Sequence, residues 1–509
     1  MSFATRLLAL ITAVLTPTLA FAQDAAPPSD DIGLVNIVSS GIAAFTDFLA
    51  TILFFEIAGF PIVVAWLVVG GIFFTAWLGF PNIRLFGHAL KVVRGKYSKD
   101  SDPGEITHFQ ALTAAVSGTV GLGNIAGVAI AVSVGGPGAV IWMMIAGFLG
   151  MSTKFAEVTM GHKYRKINER GHVSGGAFYY LRDGLAEIGK AKLGKILAVM
   201  FAILCLGGSF GGGNMFQSSQ SVKMLANTFD GIQDLDWAIA LVMAIAVGTV
   251  LLGGIKRIAS TAEKIVPLMA AIYMVAAFVV LFSHASAIPE AIGVMFDSAF
   301  NWNAAGGGAI GAIIMGFRRA AFSNEAGIGS APIAHAAGKT TEPVRAGTVA
   351  LLEPFIDTIV ICFTTGLLIT VSGVYADPSI DAAGSWKGVL LTSAAFETVI
   401  SWFPVLLAVC VLLFAFSTMI TWSYYGERAW MYLFGHKSVR LYYVLFCMAT
   451  FFGGATDRVA MIVDLSDLLL LSMAFPNLVG LYFLSGTIRK EVNSYIQRLK
   501  AGEMVQTKP

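Results

Sequence analysis

Residues 117–124 read SGTVGLGN, with three glycines in eight positions, inside a stretch that is otherwise apolar enough to cross a membrane. Glycine is one of the poorest helix-forming residues, so the pattern predicts a break in the helix at this point. A second stretch, SNEAGIGS at residues 323–330, has a serine and two glycines at the same positions when the two are aligned without gaps. Two broken segments at corresponding places in a membrane protein indicate a pair of structural repeats.

The composition indicates a protein with many membrane spans. The 509 residues have a mean hydropathy of +0.76 and only 13% of them are charged, so long runs carry no charge. The four cysteines stand singly in apolar runs without CxxC spacing, and we predict neither a disulfide nor a metal site from them. The histidines are scattered, and the sequence has neither an HExxH motif nor a P-loop lysine, which argues against an enzyme.

The N-terminus resembles a bacterial signal peptide. Residues 1–22 contain one early arginine, an apolar run and a small-x-small ending, so we expect cleavage before Gln23; the alternative is an uncleaved first helix. In either case residues 23–56 form a periplasmic or interfacial segment. Its apolar stretch 34–54 carries Asp47, and we expect an interfacial helix there.

The rest of the chain predicts an all-α membrane protein. A helix needs about 20 apolar residues to cross the hydrocarbon core, and eleven such runs follow the leader within a transmembrane domain at residues 57–488. They lie at 57–80, 107–133, 138–161, 195–222, 236–255, 262–284, 308–335, 346–374, 403–425, 438–456 and 460–486.

The positions of the lysines and arginines predict the orientation. With the N-terminus in the periplasm and the tail, residues 489–509, in the cytoplasm, the cytoplasmic loops carry most of the cations, as the positive-inside rule requires. The outer loops carry few cations beyond Lys223, Lys387 and Arg458. Counting residues 34–54 as a span would invert every later loop. We therefore expect an odd number of spans in the inner membrane of a bacterium.

The two glycine-rich motifs fall in the second and seventh spans, which run in opposite directions. A shift of five spans inverts the topology, so residues of about 107–284 and 308–486 can form a five-plus-five inverted repeat with one extra N-terminal span before it. The alternative is a chance match in a chain that has 55 glycines.

A helix that is broken inside a membrane leaves backbone groups without partners, so the break persists only beside a cavity or a ligand. The amides of Leu122 and Gly123 would face a carboxylate at the N-terminal end of a half-helix. The carbonyls of Ser117, Thr119 and Val120 would face a small cation. The alternative is helix packing through small residues.

Three charged residues of the stretch GFRRAAFSNEAGIGS would lie within a span, namely Arg318, Arg319 and Glu325. A charge at mid-membrane costs at least about 2.5 kcal/mol, so these residues should face water, a partner or a pathway. An arginine would serve as an outer gate, while Glu325 and Asn324 would bind the amine or side chain of a substrate; internal ion pairs are the alternative. Asp357, in the eighth span, is either a cation ligand or a paired residue.

A polar cluster in the ninth span offers further ligands. Ser417 and Thr418 are adjacent hydroxyls of the kind that suits a hard cation such as Na⁺. Trp422 shares a helix face with Thr418 and would bound a small pocket.

The fourth span carries a polar and aromatic stripe at helical spacing, formed by Phe210, Asn214 and Gln217. Such a stripe either faces a substrate or joins two helices.

The chain resembles the alanine or glycine:cation symporter family of bacteria and archaea over nearly its whole mature length. The resemblance rests on the run ALTAAVSGTVGLGNIAGVAIAVSVGGPGAVIWMMIAGFLGMSTKFAEVTMGHKYR and on the later GFRRAAFSNEAGIGSAPIAHAA. The VGLGN of the first break is also similar to the neurotransmitter:sodium symporters. The resemblance implies a leucine-transporter-type fold with one extra span before a ten-helix core.

The same resemblance implies site residues. A Na⁺ site is implied at the carbonyls of Ser117, Val120 and Phe414 with the hydroxyls of Ser417 and Thr418. Substrate contacts are implied at Thr119, Leu122, Gly123, Thr418, Trp422 and the second break, whose candidates are Phe322, Asn324, Gly327 and Ile328. A second cation site would fall on Asn124 and Thr119.

We therefore expect a secondary active transporter and no enzyme. Na⁺ or H⁺ would move inward with a small neutral amino acid such as alanine or glycine, by alternating access, in a lipid bilayer, without an organic cofactor or a nucleic acid partner. A symporter of another small carboxylate solute is one alternative, and an ion channel is the other.

Overall fold

The structure is a computed structural model that describes residues 46–504, apart from residues 49, 53, 58–59, 100, 170, 233, 252–253, 303–307 and 378–387. The predicted signal peptide lies outside the described residues, as does most of the predicted interfacial helix at 34–54.

Helices make up most of the described part of the chain. Those of five residues or more are α1 Ile62–Trp77, α2 Phe86–Val93, α3 His108–Thr119, α4 Val128–Gly135, α5 Gly138–Lys163, α6 Ala191–Phe210, α7 Phe216–Thr228, α8 Asp236–Leu251, α9 Gly254–Ser283, α10 Ile288–Phe300, α11 Gly308–Asn324, α12 Ala331–His335, α13 Pro343–Ala350, α14 Phe363–Ser372, α15 Gly388–Glu397, α16 Phe403–Phe434, α17 Val439–Ala455, α18 Val459–Ser472 and α19 Ala474–Lys500.

Shorter elements connect these helices. π-Helical turns lie at Gly123–Gly127, Tyr180–Gly184, Gly211–Met215 and Phe355–Cys362, short α-helical turns at Pro81–Arg84, Ala177–Tyr179, Leu185–Glu187 and Leu352–Pro354, and 3₁₀ turns at Ala285–Ala287, Val374–Ala376 and His436–Ser438. Two antiparallel hairpins pair β1 Glu56–Ile57 with β2 Phe60–Pro61, and β3 Lys166–Ile167 with β4 Val173–Ser174.

Each of the eleven predicted spans coincides with a helix or with a run of helices. Within the described residues, seven continuous helical segments, three of which join two of the helices named above, are long and apolar enough to cross a membrane, or eight if the bent pair at the first break counts as one span. The helices α1, α8 and α15 are apolar but shorter. Three helices, α2, α10 and α15, were not predicted from the sequence, because each is shorter than a membrane span. A helical membrane protein is confirmed, and the number eleven stays a prediction.

The last helix continues beyond the predicted end of its span. α19 runs to Lys500, so most of the predicted cytoplasmic tail is helical. Residues 489–500 contain neither glycine nor proline, so nothing in them stops a helix, and Gly502, with a φ of 72°, lies just beyond its end. Its buried face packs on the domain, where Tyr495 OH lies 2.7 Å from His88 Nε2, and Arg498 pairs with Glu342 at 2.7 Å.

Both predicted breaks are present. α3 ends at Thr119, and the chain bends by 52° before it continues as the helical segment Gly123–Gly135. In the second break, between α11 and α12, Glu325, Gly327 and Gly329 have φ values of 58°, 92° and 84°. Glycine adopts such φ values without a steric penalty, so the two glycines let the chain leave one half-helix and enter the next.

Helix packing brings the two breaks to one place. α5 packs along α11, while α3 packs against α9 and α16. The extra N-terminal helix α1 packs on α5, α11 and α19, and its Leu67 lies beside Gly327 of the second break. A Cβ added to Gly123 of the first break would lie 3.1 Å from the Cα atom of Ser323, which immediately precedes the second break. The site is therefore built where the two motifs touch.

Candidate functional site

The carbonyl end of α3 meets α16 through a cluster of hydroxyl groups. Thr418 Oγ1 donates to Ser117 O at 3.2 Å, and Ser117 Oγ donates to Ser417 O at 2.9 Å. Ser417 Oγ in turn donates to Phe414 O at 2.9 Å. Val120, which directly follows α3, is fully buried. The structure thus joins four of the five residues predicted for the cation by hydrogen bonds and places the fifth three residues along the chain from Ser117.

The glycines of the first motif permit this close contact. A Cβ on Gly121 would lie 2.4 Å from Thr418 Oγ1, and one on Gly118 would lie 3.1 Å from Thr421 Cγ2. Unlike the glycines of the second break, these two have no positive φ. Their function in the fold is to let the broken helix approach α16 without a side chain between them.

A backbone amide of the first break is hydrogen-bonded to a side chain of α7. Leu122 N donates to Gln217 Oε1 at 3.2 Å, while Gln217 Nε2 donates to Gly212 O at 2.9 Å. The neighbouring Gly121 N donates to Asn124 Oδ1 at 2.9 Å. An amide oxygen of Gln217 therefore occupies the position in which the sequence analysis expects an oxygen of a substrate carboxylate. Gln217 is the residue of the predicted stripe that reaches the break.

The other two residues of that stripe contact α17. The ring of Phe210 lies 5.7 Å from that of Tyr442. Asn214 Nδ2 donates to Phe446 O, and Asn214 Oδ1 accepts from Thr450, both at 2.8 Å. These are the contacts of residues that join two helices, which is the alternative that the sequence left open.

Asp357 connects the two breaks. Asn124 Nδ2 donates to Asp357 Oδ1 at 2.6 Å, and Ser323 Oγ donates to Asp357 Oδ2 at 2.9 Å. Thr358 Oγ1 adds a third hydrogen bond at 2.7 Å. The carboxylate is fully buried, and these three donors are neutral. Thr119, the other residue predicted for a second cation, donates instead within its own helix, to Val116 O at 3.3 Å.

Glu325 lies in the turn of the second break and is bonded to α16. Trp422 Nε1 donates to Glu325 Oε1 at 2.8 Å, and Ser330 Oγ donates to Oε2. The indole also lies tightly against Gly213, where an added Cβ would be 2.2 Å from Trp422 Cγ. Trp422 is thus fixed between the second break and the π-helical turn Gly211–Met215.

The remaining candidates of the second break are buried around it. The ring of Phe322 lies 4.9 Å from that of Phe216. Asn324 Nδ2 donates to Thr358 Oγ1 at 2.9 Å, which makes its side chain part of the same network as Asp357. Gly327 O accepts a hydrogen bond, and Ile328 is fully buried.

Both predicted arginines pair with acidic residues of α18. Arg318 Nε donates to Asp467 Oδ2 at 2.7 Å, and Arg318 Nη2 lies 3.5 Å from Asp464 Oδ1. Arg319 also donates to Asp467, and both of these side chains are fully buried. Ion pairing, the alternative left open by the sequence, is therefore what the structure contains. A pair between α11 and α18 is also a contact that a gate would have to break.

A buried cluster of charged side chains beside the second break was not predicted from the sequence. Lys154 Nζ donates to Asn324 O at 2.6 Å and lies 2.6 Å from Glu353 Oε2, while His335 Nε2 is hydrogen-bonded to Glu353 Oε1. A lysine in the middle of the apolar run 138–161 was the available signal, because a charge inside a span needs a partner.

A second set of contacts that was not predicted from the sequence lies just beyond the end of α12. Arg165, just after α5, donates through its guanidinium to Ala336 O, Gly338 O, Thr340 O and Pro103 O at 2.5–2.8 Å. One side chain therefore joins the connection after α12 to the connection before α3.

Comparison with known proteins gives relatives over most of the chain. The model of the sodium:alanine symporter family matches residues 43–509. The sodium/alanine symporter AgcS of Methanococcus maripaludis is 42% identical over 436 residues, which cover 86% of this chain and 94% of that protein. The probable sodium/glutamine symporter GlnT of Bacillus subtilis is 35% identical over 438 residues, covering 85% and 87% of the two chains.

Among solved structures, that of MhsT in complex with L-phenylalanine resembles this one with a TM-score of 0.52 at 16% identity. The match covers 75% of this chain and 99% of that chain. At this identity the likeness shows the fold alone, and it confirms the predicted leucine-transporter-type fold. The family match confirms the predicted resemblance, and it confirms that this is a transporter protein and not an enzyme. The chain belongs to the sodium:alanine symporter family.

Proposed function

We propose that this chain is a secondary active transporter of the bacterial inner membrane. It couples the inward movement of Na⁺, or of H⁺ in its place, to the uptake of a small neutral amino acid such as alanine or glycine. The observation that carries the proposal is the contact between the two breaks, at which Gly123 lies against Ser323 and Asp357 bonds to both segments. Two broken helices that meet in the core leave backbone groups for a ligand at a single place.

The cation would bind at the carbonyl end of α3. The carbonyls of Ser117, Val120 and Phe414 and the hydroxyls of Ser417 and Thr418 are neutral oxygen ligands, which suit a hard cation better than a soft one. The hydrogen bonds among them keep these oxygens together.

The substrate would bind at the other end of the same break. Its carboxylate would take the hydrogen bond of Leu122 N that Gln217 Oε1 accepts at 3.2 Å, with Gly123 N and Thr119 beside it. Glu325 is the carboxylate available for the substrate's ammonium group. Trp422, held by Glu325 and packed on Gly213, would limit the substrate to a small side chain.

Coupling would follow from the shared break. One cation that moves inward down about 100 mV gains about 2.3 kcal/mol from the potential alone. This free energy reaches the amino acid only if the two ligands bind cooperatively. Ligands at opposite ends of one short unwound segment order the same few residues, and this supplies the cooperativity.

Alternating access would use the two sets of arginine contacts on either side of the site. We infer eleven spans after a leader, with residues of about 107–284 and 308–486 as inverted repeats, the N-terminus in the periplasm and the C-terminus in the cytoplasm. In this orientation the pairs of Arg318 and Arg319 with Asp467 lie on the outer side of the site, and Arg165 with its four carbonyls lies on the cytoplasmic side. Opening one set while the other stays closed exposes the site to one side at a time.

The test is counterflow and uptake in proteoliposomes with a panel of amino acids, with and without imposed Na⁺ and H⁺ gradients. We expect accumulation of alanine and glycine that depends on one of the two gradients. Gradient-driven uptake of glutamine or of a non-amino carboxylate would correct the substrate, and uptake at equal rates without either gradient would reject the coupling. Single-channel currents would favour an ion channel instead.

A further inference from the structure

Lys154 lies at an unusual place for a charged side chain. It is in the middle of α5, within a predicted span, and it is fully buried. Its ammonium lies between two acceptors, Asn324 O and Glu353 Oε2, each at 2.6 Å. A lysine at this depth persists only when its charge is compensated.

The first of these acceptors is the carbonyl end of a half-helix. Asn324 is the last residue of α11, the 17-residue helix before the second break. The C-terminus of a helix carries about half a negative charge, on carbonyls that have no partner in the helix. An ammonium group is therefore bonded where a free cation would otherwise be attracted.

The second acceptor extends the contact across the break. Glu353 is also hydrogen-bonded to His335, the last residue of α12, which is the other half of the broken helix. Lys154 and Glu353 together thus connect the end of α11 to the end of α12. Two further carboxylates are buried in this region: Glu157, three residues after Lys154 on α5, and Glu325, which directly follows Asn324. A positive charge at Lys154 is therefore compensated by its bonded acceptors and surrounded by further acidic side chains.

At the first break, the carbonyl end of the half-helix is bonded to a neutral hydroxyl group. This end, at Ser117, accepts from the hydroxyl of Thr418, while the Ser117 hydroxyl donates to the carbonyl of Ser417 and accepts from the hydroxyl of Thr421. In the part of the chain that the structure describes, no lysine or arginine is hydrogen-bonded to Ser117 O. The two breaks therefore differ in charge as well as in backbone, since among the described residues only the second has a lysine bonded to its carbonyl end.

We propose that Lys154 is the resident cation of the second break, and that it limits the protein to one free coupling cation per amino acid, bound at the first break. The ammonium neutralises the partial negative charge at the end of α11, and through Glu353 it fixes the positions of the two halves of the broken helix relative to each other. This inference rests on the proposed function for its stoichiometry, whereas the cation requirement at Lys154 can be measured without transport.

The first experiment measures thermal unfolding of purified Lys154→Ala with and without n-propylammonium, which corresponds to the part of the side chain that is removed. We expect a lowered Tm that rises again by several degrees with millimolar propylammonium, because the cation fills the vacated place. Lys163→Ala is the matched control, since Lys163 lies on the same helix and pairs with Glu491 at 2.7 Å near the surface. A Tm of Lys154→Ala that does not respond to propylammonium would overturn the resident-cation assignment.

The second experiment removes both charges of the pair with Lys154→Met/Glu353→Gln, so that neither partner of the pair is left as an unpaired ion. A pair with a merely structural role would be replaced without loss of transport. We expect instead a folded variant whose gradient-driven uptake falls at least tenfold, since the end of α11 still lacks a cation. Uptake at the normal rate would overturn the proposal.

The third experiment measures the reversal potential of wild-type transport in proteoliposomes, which gives the number of cations per amino acid. We expect one, and a value of two would overturn the stoichiometry. Absence of any gradient-driven uptake would reject the proposed function instead, and the propylammonium result would still decide the role of Lys154.

Discussion

Trp422 Nε1 donates a hydrogen bond to Glu325 Oε1 at 2.8 Å, and both residues are buried. The bond joins the ninth predicted span to the turn of the second break, in which Glu325 has a positive φ of 58°. A non-glycine residue in this conformation is strained and is retained only where its surroundings hold it. The position of this indole beside the second break therefore depends on one carboxylate.

Trp422→Phe tests this dependence. Loss of the indole N–H leaves a buried carboxylate oxygen without its donor, which costs about 1–3 kcal/mol, and the smaller ring would leave more room for a substrate side chain. We expect a lowered Tm and a shift in relative uptake from alanine towards larger amino acids, measured by thermal unfolding and competition with a panel of amino acids. Trp142→Phe is the control, because Trp142 Nε1 also donates a hydrogen bond, to Ala299 O at 3.0 Å, but lies outside the site. An unchanged selectivity in Trp422→Phe would contradict the prediction.

Gly121→Ala tests the close approach of the first break to α16. The added methyl would lie 2.4 Å from Thr418 Oγ1, so either the break or α16 must move. We expect uptake to fall at least tenfold while the protein still inserts and folds, as measured by initial uptake rates and by the yield of monodisperse protein. Gly311→Ala is the matched control, since a Cβ there meets nothing within 4 Å and alanine favours the helix. Equal uptake by the two variants would contradict the role given to Gly121.

Thr418→Val tests the cation site. Valine keeps the shape of threonine but lacks the hydroxyl that donates to Ser117 O at 3.2 Å. We expect the Na⁺ concentration for half-maximal uptake to rise about tenfold, which corresponds to about 1.4 kcal/mol, because one of the oxygen ligands is gone. Thr418→Ser keeps the hydroxyl and should retain nearly normal Na⁺ dependence. A valine variant with the Na⁺ dependence of the wild type would exclude Thr418 as a ligand.

Asp467→Asn tests the pairing of the two arginines. Asp467 accepts from both Arg318 and Arg319, and its loss leaves the fully buried Arg319 without this partner. Breaking a buried ion pair typically costs about 3–5 kcal/mol, so we expect a strongly lowered Tm and low yield. Asp464→Asn removes a longer contact of 3.5 Å from a half-exposed carboxylate, and we expect a small effect, of less than about 1 kcal/mol. Similar Tm values for the two variants would show that the pairing of Asp467 with the two arginines contributes no more to stability than the contact of Asp464.

The sequence by itself determined where the helices break. Glycine permits backbone conformations and close approaches that other residues do not, and this property is local, so SGTVGLGN and SNEAGIGS could be recognised without any knowledge of their neighbours. The positions of the apolar helices also followed from the sequence, because a run of apolar residues needs no partner in order to be recognised. The resemblance to the family also predicted that Ser417 and Thr418 lie beside the first break, and in the structure both residues are hydrogen-bonded to Ser117.

The tertiary structure alone decided which side chains the breaks touch. Gln217 bonds to Leu122 across 95 residues, and Lys154 bonds to Asn324 across 170 residues. Helical spacing grouped Gln217 with Asn214, but rotation of the helix turns Asn214 towards α17 and Gln217 towards the break. Which face of a helix meets which neighbour depends on packing over the whole bundle, and no local pattern contains that information. For this reason the backbone of the site could be predicted from the sequence, while its charged partners could not.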